Sequence, residues 1–261
     1  MFPKEYDVTG KIVLITGAGR GIGRGIAEVL AEAGAQIALN ALTDRYVSRA
    51  AQEIANSSGQ RVIPIVADMT EADQVQRSVE TVLKEFGRLD VLINCLGDAI
   101  RQRLVKLPDR EGTSISDEDL KKVVDINLTS TLLCTRAVGP HFLSHGNGKV
   151  INISSYAASK GGADLVIYSL AKSALVGFTR AQALEWAPYN VRVNCIAPGS
   201  FPDPLTLGDD YAKQAEAVSK RVPLGRPGMP REVGLLALYL VSPASDYMTG
   251  QTIYLDGGLT L

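Results

Sequence analysis

A tyrosine stands four residues before a lysine twice in one short stretch, at Tyr156/Lys160 and again at Tyr168/Lys172. Residues four apart share one face of a helix, so each pair can place a phenol beside an ammonium. The ammonium favours the phenolate and lowers the pKa of a phenol from about 10, which suits an acid/base group working near neutral pH. The spacing alone leaves both pairs as candidates, and the surrounding elements must decide between them.

A glycine-rich turn, TGAGRGIG, overlaps the end of the first apolar run, KIVLIT at 11–16. Its glycines follow the spacing TGxxxGxG, and no register of GxGxxG fits. A tight strand-to-helix turn needs residues without a Cβ where the backbone approaches a pyrophosphate, and the N-terminus of the next helix offers free N–H groups to that anion. We predict that this turn binds the phosphates of a dinucleotide, with contacts at Gly17, Gly21, Ile22 and Gly23.

The end of the second strand bears on which dinucleotide is bound. An acid at this position commonly binds the adenosine ribose. Here the strand ends near Asn40-Ala41-Leu42, and the first carboxylate is that of Asp44. Nothing at the strand end repels a 2′-phosphate, and Arg20 in the glycine turn can attract one. We therefore expect NADP(H) to be the preferred cofactor, with NAD(H) as the alternative.

Short apolar runs alternate with longer amphipathic stretches from end to end of the chain. The runs are continuous, as in a parallel sheet covered by helices on both faces, and predict strands over 11–16, 36–40, 61–67, 89–94, 149–154, 191–196 and 251–255. Helical periodicity covers 22–33, 44–56, 71–86, 117–144, 168–187 and 230–241. These alternations predict an α/β fold: a doubly wound, mostly parallel seven-stranded Rossmann-type sheet in one domain over residues 1–261.

Composition and charge argue against several other functions. The formal net charge is −1 and no basic run occurs, so we expect no nucleic-acid partner and no membrane partner. The charged N-terminal residues are unlike a signal peptide. Cys95, Cys134 and Cys195 lie in apolar segments at unrelated spacings, which predicts buried, reduced thiols in a cytoplasmic protein. His141 and His145 have no neighbouring thiol or carboxylate cluster, so no metal site is expected.

Eight short motifs occur in order between about residue 8 and residue 258. They are TGAGRGIG at 16–23, Asp68 in VADMT, NCLG at 94–97, Asn127 in DINLTS, Ser154-Ser155 in INISS, YSLAK at 168–172, Pro198-Gly199 in NCIAPG and LDGG at 255–258. Together they resemble the short-chain dehydrogenase/reductase family. Within that family the chain is most similar to the branch that holds 3-oxoacyl-carrier-protein reductases and many sugar, polyol and steroid dehydrogenases.

The resemblance implies an oxidoreductase that interconverts a ketone and a secondary alcohol by hydride transfer. It implies that Tyr168 is the acid/base, that Lys172 tunes it and holds the nicotinamide ribose, and that Ser155 orients the carbonyl. Asn127 is implied to support a water that relays protons to the lysine. The resemblance also assigns cofactor contacts to Tyr168 and Lys172 and to further positions, namely Asp68, Asn94, Gly97, Pro198 and Gly199. For Asp68 the implied contact is with the adenine ring; the alternative is a plain cap of the helix that begins near Glu71, and the two roles are compatible.

The position of a strand end separates the two tyrosine–lysine pairs. KVINIS ends at Ser154, so Ser155 lies at the carboxyl end, where ligands bind in such a sheet, and Tyr168 follows it by 13 residues. Tyr168 opens a long amphipathic helix, whereas Gly161-Gly162 follow the first pair and would disrupt a helix. We therefore assign the chemistry to the second pair and favour Ser155 over Ser154. Contact with substrate stays an open role for Tyr156.

Departures from the family's pattern cluster around the expected substrate pocket. NCLG has Leu96 where the family has alanine, and the stretches 98–116 and 198–228 are expected to be long loops that form substrate walls or a lid. Thr206 is not assigned the family's contact with the nicotinamide amide. The substrate stays open between a 3-oxoacyl thioester and a sugar or polyol.

Two further expectations concern function and assembly. A catalytically silent dinucleotide-binding sensor or scaffold is the alternative function; loss of a catalytic residue would favour it, and none is lost. The resemblance also implies a homo-oligomer, a tetramer formed through the helices at 117–144 and 168–187.

Overall fold

Seven parallel strands form one sheet in the computed structural model, which describes residues 3–108 and 111–261. The strands are β1 (Ile12–Ile15), β2 (Gln36–Ala41), β3 (Val62–Val66), β4 (Val91–Asn94), β5 (Gly148–Ile153), β6 (Val191–Pro198) and β7 (Thr252–Leu255). Their order across the sheet is β3-β2-β1-β4-β5-β6-β7, and all neighbouring pairs are parallel. The predicted seven-stranded, doubly wound sheet is confirmed, and it is entirely parallel.

The strand order reverses in the middle of the sheet. β1 pairs with β2 on one side and with β4 on the other, so the crevice beyond the carboxyl ends of β1 and β4 is the topological switch point. Ligands bind at this point in open α/β sheets. β1 and β4 are buried at every residue because helices cover both faces of the sheet. The fold thus provides a crevice whose floor is the ends of buried strands.

The α-helices lie on both faces of the sheet. Those described are α1 (Gly21–Glu32), α2 (Asp44–Ser58), α3 (Ala72–Phe86), α4 (Asp117–Val124), α5 (Ser130–His145), α6 (Ala157–Lys160), α7 (Val166–Trp186), α8 (Pro204–Leu207), α9 (Tyr211–Ser219) and α10 (Pro230–Val241). Apolar residues of α1, α2 and α10 join one core cluster on one face. Those of α3, α5 and α7 join a second cluster on the other face.

The helix predicted over 117–144 is interrupted next to the switch point. α4 ends at Val124, and Asp125–Thr129 form a π turn before α5 begins at Ser130. A π turn inserts an extra residue into a helix, changes the direction of the side chains around it and is frequent at functional sites. Asn127 lies within this turn and is fully buried.

Both predicted long loops contain some regular structure. Segment 198–228 includes α8, a 3-10 turn at Gly208–Asp210 and α9. The stretch 98–116 contains a bridge between Arg103 and Ser114, while its residues 109 and 110 lie outside the described residues. In the two described ranges, no helix combines the length and the apolarity needed to cross a bilayer.

A buried row of polar side chains connects the centre of the sheet to the helices of one face. Asn94 Nδ2 donates to Thr135 Oγ1 at 3.2 Å and to Asn152 Oδ1 at 2.9 Å, and Asn152 Nδ2 donates to Thr179 Oγ1 at 2.9 Å. All four residues are buried. The row joins β4 and β5 to α5 and α7, so it holds these helices in register with the strand ends.

Replacing Asn152 with alanine should weaken the fold. The change removes one of the two acceptors of Asn94 Nδ2 and the donor to Thr179. Each buried hydrogen-bonding group left unpaired costs about 1–3 kcal/mol. We expect the free energy of unfolding, measured by urea denaturation, to fall by about 2–3 kcal/mol. Asn147→Ala, which truncates an exposed asparagine, is the matched control and should change it by less than about 0.5 kcal/mol. Equal losses in the two variants would contradict a stabilising role for the row.

Candidate active site

The second tyrosine–lysine pair lies on one face of α7 at the carboxyl edge of the sheet. Tyr168 is half-buried and Lys172 is 3% exposed, and the Lys172 Nζ lies 5.8 Å from the centroid of the Tyr168 ring. Lys172 Nζ donates to the carbonyl oxygen of Ile153, the last residue of β5, at 3.0 Å. α7 begins at Val166, so Tyr168 is in its first turn.

The first pair performs a different task. Lys160 Nζ donates to the Leu259 carbonyl oxygen at 2.7 Å, and Tyr156 packs against Val218, Val222 and Leu259. α6 ends at Lys160 because Gly161 adopts a φ of +68°, as the glycine pair in the sequence predicts. This pair therefore fastens the segment around α9 and the C-terminal residues beside the site.

The two neighbouring serines point in different directions. Ser154 Oγ donates to the Lys172 carbonyl oxygen at 2.6 Å and so fixes the main chain of α7 against the end of β5. Ser155 Oγ accepts from the Ala157 N–H at 3.1 Å and interacts with the Tyr168 phenol. The structure thus brings Ser155 to the tyrosine and uses Ser154 in the framework.

Asn127 and Lys172 meet beside Gly97. A Cβ on Gly97 would lie 2.8 Å from Lys172 Nζ and 2.9 Å from Asn127 Oδ1, so only glycine leaves these two atoms their space. Asn127 Nδ2 donates to the carbonyl oxygens of Asp98 at 2.7 Å and Val123 at 2.8 Å. Its Oδ1 is buried and has no hydrogen-bond partner in the described residues. The π turn therefore places a buried, unpaired acceptor beside Gly97, where the Lys172 Nζ also lies.

The glycine turn has the shape that a dinucleotide phosphate requires. Gly17 has a φ of +63°, and a Cβ there would lie 3.0 Å from Leu96 Cα. A Cβ on Gly23 would lie 2.6 Å from the Gly17 carbonyl oxygen. α1 begins at Gly21 without a side-chain cap, so its first N–H groups are available to an anion. The residues present fit a pyrophosphate at this turn.

Two buried polar residues that sequence reasoning left unassigned hold this turn in place. Asn40 Nδ2 donates to the Ala67 carbonyl oxygen at 3.0 Å, and its Oδ1 accepts from the Gly17 N–H at 3.4 Å. Thr16 Oγ1 accepts from the N–H groups of Cys95 at 3.1 Å and Leu96 at 3.3 Å. The sequence feature that could have identified these two residues is a polar residue at the end of an otherwise apolar strand.

Comparison with known proteins agrees with this geometry. The family model described as Enoyl-(Acyl carrier protein) reductase matches residues 17–260. The short-chain reductase protein NovJ of Streptomyces niveus is 38% identical over 95% of this chain and 93% of its own length. The 3-oxoacyl-(acyl-carrier-protein) reductase FabG of Thermotoga maritima is 34% identical over 97% of this chain and 98% of its own. The chain belongs to the short-chain dehydrogenase/reductase family.

A solved structure of this family has nearly the same fold. The gluconate 5-dehydrogenase of Burkholderia cenocepacia, in complex with NADP and tartrate, superimposes with a TM-score of 0.88 at 32% sequence identity, covering 98% of both chains. The protein is therefore an NAD(P)-dependent oxidoreductase of the short-chain dehydrogenase/reductase family, and the resemblance seen in its motifs is confirmed.

The family resemblance also assigns Asp68, Asn94 and Pro198 to the cofactor site, and the structure shows which contacts each of them makes. Asp68 Oδ1 accepts from the Thr70 N–H at 2.8 Å, and the N-cap of α3 is Glu71, so the prediction that Asp68 caps this helix is wrong. The Asn94 Nδ2 donates within the buried polar row, whereas its Oδ1 is buried and has no hydrogen-bond partner in the described residues. Pro198 accepts from the Tyr156 N–H at 2.9 Å through its carbonyl oxygen.

Gly199 contacts the end of β7, and Arg20 contacts the segment that follows β6. The Gly199 N–H donates to the Leu255 carbonyl oxygen at 2.9 Å, and a Cβ on Gly199 would lie 2.6 Å from Asp256 Cα. Arg20 Nη1 pairs with Asp203 Oδ2 at 2.6 Å and also donates to the Thr206 hydroxyl. Asp203 is a partner that sequence reasoning missed, since it is 183 residues away in the chain.

Burial controls the ionisation of the catalytic candidates. It raises the pKa of Tyr168 above its ordinary value, an effect that the Ser155 hydroxyl opposes. Burial also lowers the pKa of Lys172 to about 8. In the chain by itself the effect of burial dominates, because desolvation disfavours the charged forms of both groups. The lowering expected from Lys172 together with an oxidised nicotinamide stays a prediction.

Among the described residues, the cysteines and histidines do not form a cluster like the one around Lys172. All three thiols are free, and burial raises the pKa of Cys95 and Cys134 to about 12 and that of Cys195 to about 11. Within residues 3–108 and 111–261, no group of three or more His, Cys, Asp or Glu side chains is placed to hold a metal ion.

Lys172 should titrate at about 8 in the chain without cofactor. The unfolded chain keeps the ordinary value of 10.5, so between these pH values the unfolded state binds more protons. The contribution of Lys172 to the free energy of unfolding therefore rises as pH increases from about 8 to 10.5. NMR of protein with lysine labelled with carbon-13 measures the titration, and Lys172→Met identifies the signal by removing it. A Lys172 signal that titrates together with those of the other lysines would contradict the effect of burial.

Proposed function

We propose that this protein interconverts a ketone and a secondary alcohol, using NADP(H) in preference to NAD(H). The observation that supports this most strongly is the convergence of Tyr168, Ser155, Lys172 and Asn127 at the carboxyl ends of β4 and β5. These groups lie at the switch point beside a glycine turn that fits a pyrophosphate. The same set argues against a silent sensor or scaffold, because each group needed for proton transfer is present.

Each residue then has a distinct part in the reaction. When bound, the nicotinamide supplies the hydride for reduction and accepts it for oxidation. Ser155 donates a hydrogen bond to the substrate oxygen and holds it beside Tyr168. Burial keeps the Tyr168 phenol protonated, so in reduction it can donate its proton to that oxygen, and in oxidation the phenolate takes the proton back.

Lys172 supplies the proton that Tyr168 gives up, and Asn127 positions the water through which Lys172 regains it. A lysine with a pKa of about 8 can release and regain a proton near neutral pH. Asn127 Oδ1 lies beside it around Gly97 as an unpaired acceptor, so it can hold a water between the lysine and solvent. A buried unpaired acceptor is rare in proteins and calls for such a partner. Lys172 is also the group we assign to the nicotinamide ribose.

The preference for NADP(H) is supported by the end of β2. Ala41 is the last residue of this strand, and its Cβ lies 3.5 Å from the position that a Cβ on Gly19 would take. A small neutral side chain thus faces the glycine turn where many dinucleotide enzymes place an acid. Arg20 adds a positive charge in the same turn. The related gluconate 5-dehydrogenase of Burkholderia cenocepacia was solved in complex with NADP.

The substrate belongs to one of two chemical classes under this proposal. The relatives include a 3-oxoacyl-(acyl-carrier-protein) reductase and a gluconate 5-dehydrogenase, which favour a 3-oxoacyl thioester and a sugar or polyol respectively. Arg103 of the 98–116 stretch pairs with Asp164 at 3.1 Å, which fastens one wall of the pocket to the segment before α7. A panel of ketones and alcohols from both classes, assayed with NADPH/NADP and NADH/NAD in parallel, decides between them.

Assembly and location stay predictions. Exposed apolar side chains on α5 and α7, including Leu132, Leu170 and Leu184, support a homotetramer formed through these helices. The molar mass in solution, measured by light scattering, tests this assembly. A cytoplasmic location is expected from the composition alone.

Tyr168→Phe should abolish most turnover. The change removes the proton donor and leaves the ring in place, and general acid/base catalysis contributes about 10²–10⁴-fold to rate. We expect kcat to fall by at least about 100-fold, while NADPH binding, followed by its fluorescence, stays intact. Tyr156→Phe is the matched control and should keep most of the activity. Full activity in Tyr168→Phe would rule out its role, and no turnover of the whole panel by the unmodified protein would favour the silent scaffold.

Ala41→Asp should reverse the cofactor preference. A carboxylate at the end of β2 would repel a 2′-phosphate and accept hydrogen bonds from the ribose hydroxyls of NAD(H). We expect the ratio of kcat/KM for NADPH to that for NADH to fall by about tenfold or more, equivalent to about 1.4 kcal/mol. Ala41→Asn, which is similar in size and uncharged, is the control. An unchanged ratio in Ala41→Asp would mean that the adenosine ribose lies elsewhere.

A further inference from the structure

The carboxylate of Asp203 reaches across the crevice from the segment after β6 to the glycine turn. Its Oδ2 accepts from Arg20 Nη1 at 2.6 Å and from Thr206 Oγ1 at 2.8 Å. Its Oδ1 accepts from the Leu205 N–H at 3.1 Å and so caps α8. The Asp203 side chain is 14% exposed, against 45% for that of Arg20. The carboxylate is thus the more buried member of the ion pair and has three hydrogen-bond donors around it.

The Asp203 carboxylate lies beside the positively charged part of the glycine turn. Asp203 Oδ2 is 3.8 Å from the position that a Cβ on Gly21, the first residue of α1, would take. The N-terminus of α1 lacks a side-chain cap and carries the positive end of the helix dipole. Arg20 provides the full charge beside it. Asp203 therefore occupies the surroundings in which a cofactor phosphate would be stabilised.

We propose that Asp203 is a specificity-determining residue that competes with the cofactor phosphates for Arg20, and with the 2′-phosphate most of all. The proposal rests on the assignment of Arg20 to NADP(H) made above. Asp203 pairs with Arg20 through Nη1, so its negative charge offsets that of the guanidinium, and a phosphate brought to the remaining N–H groups would be repelled by the nearby carboxylate. The phosphate of NADP(H) therefore meets an Arg20 whose positive charge is already partly offset by Asp203.

The Arg20–Asp203 ion pair therefore limits the affinity of the protein for the cofactor. The ion pair stabilises the form without cofactor, so its free energy is subtracted from that of phosphate binding. It acts more strongly on a ligand with a 2′-phosphate than on one without, because only the former needs the Arg20 guanidinium. Asp203 thus reduces the discrimination between NADP(H) and NAD(H) that Arg20 would otherwise provide.

Binding of two fragments, 2′,5′-ADP and 5′-AMP, measured by calorimetry tests the proposal without turnover. Asp203→Asn keeps the capping oxygen of α8 and removes the charge. We expect it to bind 2′,5′-ADP about fivefold more tightly than the unmodified protein, with a smaller gain for 5′-AMP. Glu32→Gln is the matched control, since it removes one carboxylate from an ion pair with Arg231 at the far end of α1 and should change neither affinity.

The combination with Arg20→Ala separates this proposal from the cofactor preference. Once Arg20 is absent, Asp203→Asn should have no further effect on 2′,5′-ADP. Unchanged 2′,5′-ADP affinity in Asp203→Asn, or an equal gain for 5′-AMP, would overturn the competition for Arg20. A different result would show that the assignment of Arg20 to the 2′-phosphate has failed. In that case 2′,5′-ADP and 5′-AMP bind with the same affinity, both to the unmodified protein and to Asp203→Asn, and Arg20→Ala leaves these affinities unchanged.

Discussion

The site depends on a lysine side chain that is buried at the carboxyl end of β5 and bonded to a neutral carbonyl oxygen. Burying an ammonium is costly, and the protein meets this cost in part by lowering the pKa of Lys172 to about 8. The surrounding backbone must leave space for the side chain and hold it in place. Gly97 provides the space, and the Ser154 hydroxyl fixes the lysine's own carbonyl group.

Polar side chains at strand ends give this arrangement its rigidity. The row from Thr135 through Asn94 and Asn152 to Thr179 joins two strands to the two helices that carry the site. Asn40 stabilises the glycine turn in the same way, because its side chain bonds both to this turn and to the end of β3. Such buried, paired groups favour one register of strands and helices, because any shift would leave donors and acceptors without partners.

The segment after β6 is held from two sides. Tyr156 and Lys160 fasten the part around α9 and the C-terminal residues, while Asp203 reaches the glycine turn through Arg20. The two tyrosine–lysine pairs are thus both used, one in the reaction we propose and one in the wall beside it. The contacts of Tyr156 and Lys160 with the wall of the site give this pair a structural role that is separate from the proposed reaction.

The sequence by itself determined the features that depend on local spacing. Alternating apolar runs predicted the seven-stranded sheet, and the glycines predicted the turn between β1 and α1. The end of KVINIS and the helix periodicity placed Tyr168 and Lys172 on one helix face, because these relations are set within a few turns of the chain.

Only the tertiary structure decided the features that depend on burial or on distant partners. It replaced the expected cap at Asp68 by Glu71, introduced the π turn at Asn127 and brought Asp203 to Arg20 across 183 residues. It also determined the burial that raises the pKa of Tyr168 in the chain by itself. Spacing tells which groups share a helix face, whereas desolvation and pairing depend on what the rest of the fold packs around them.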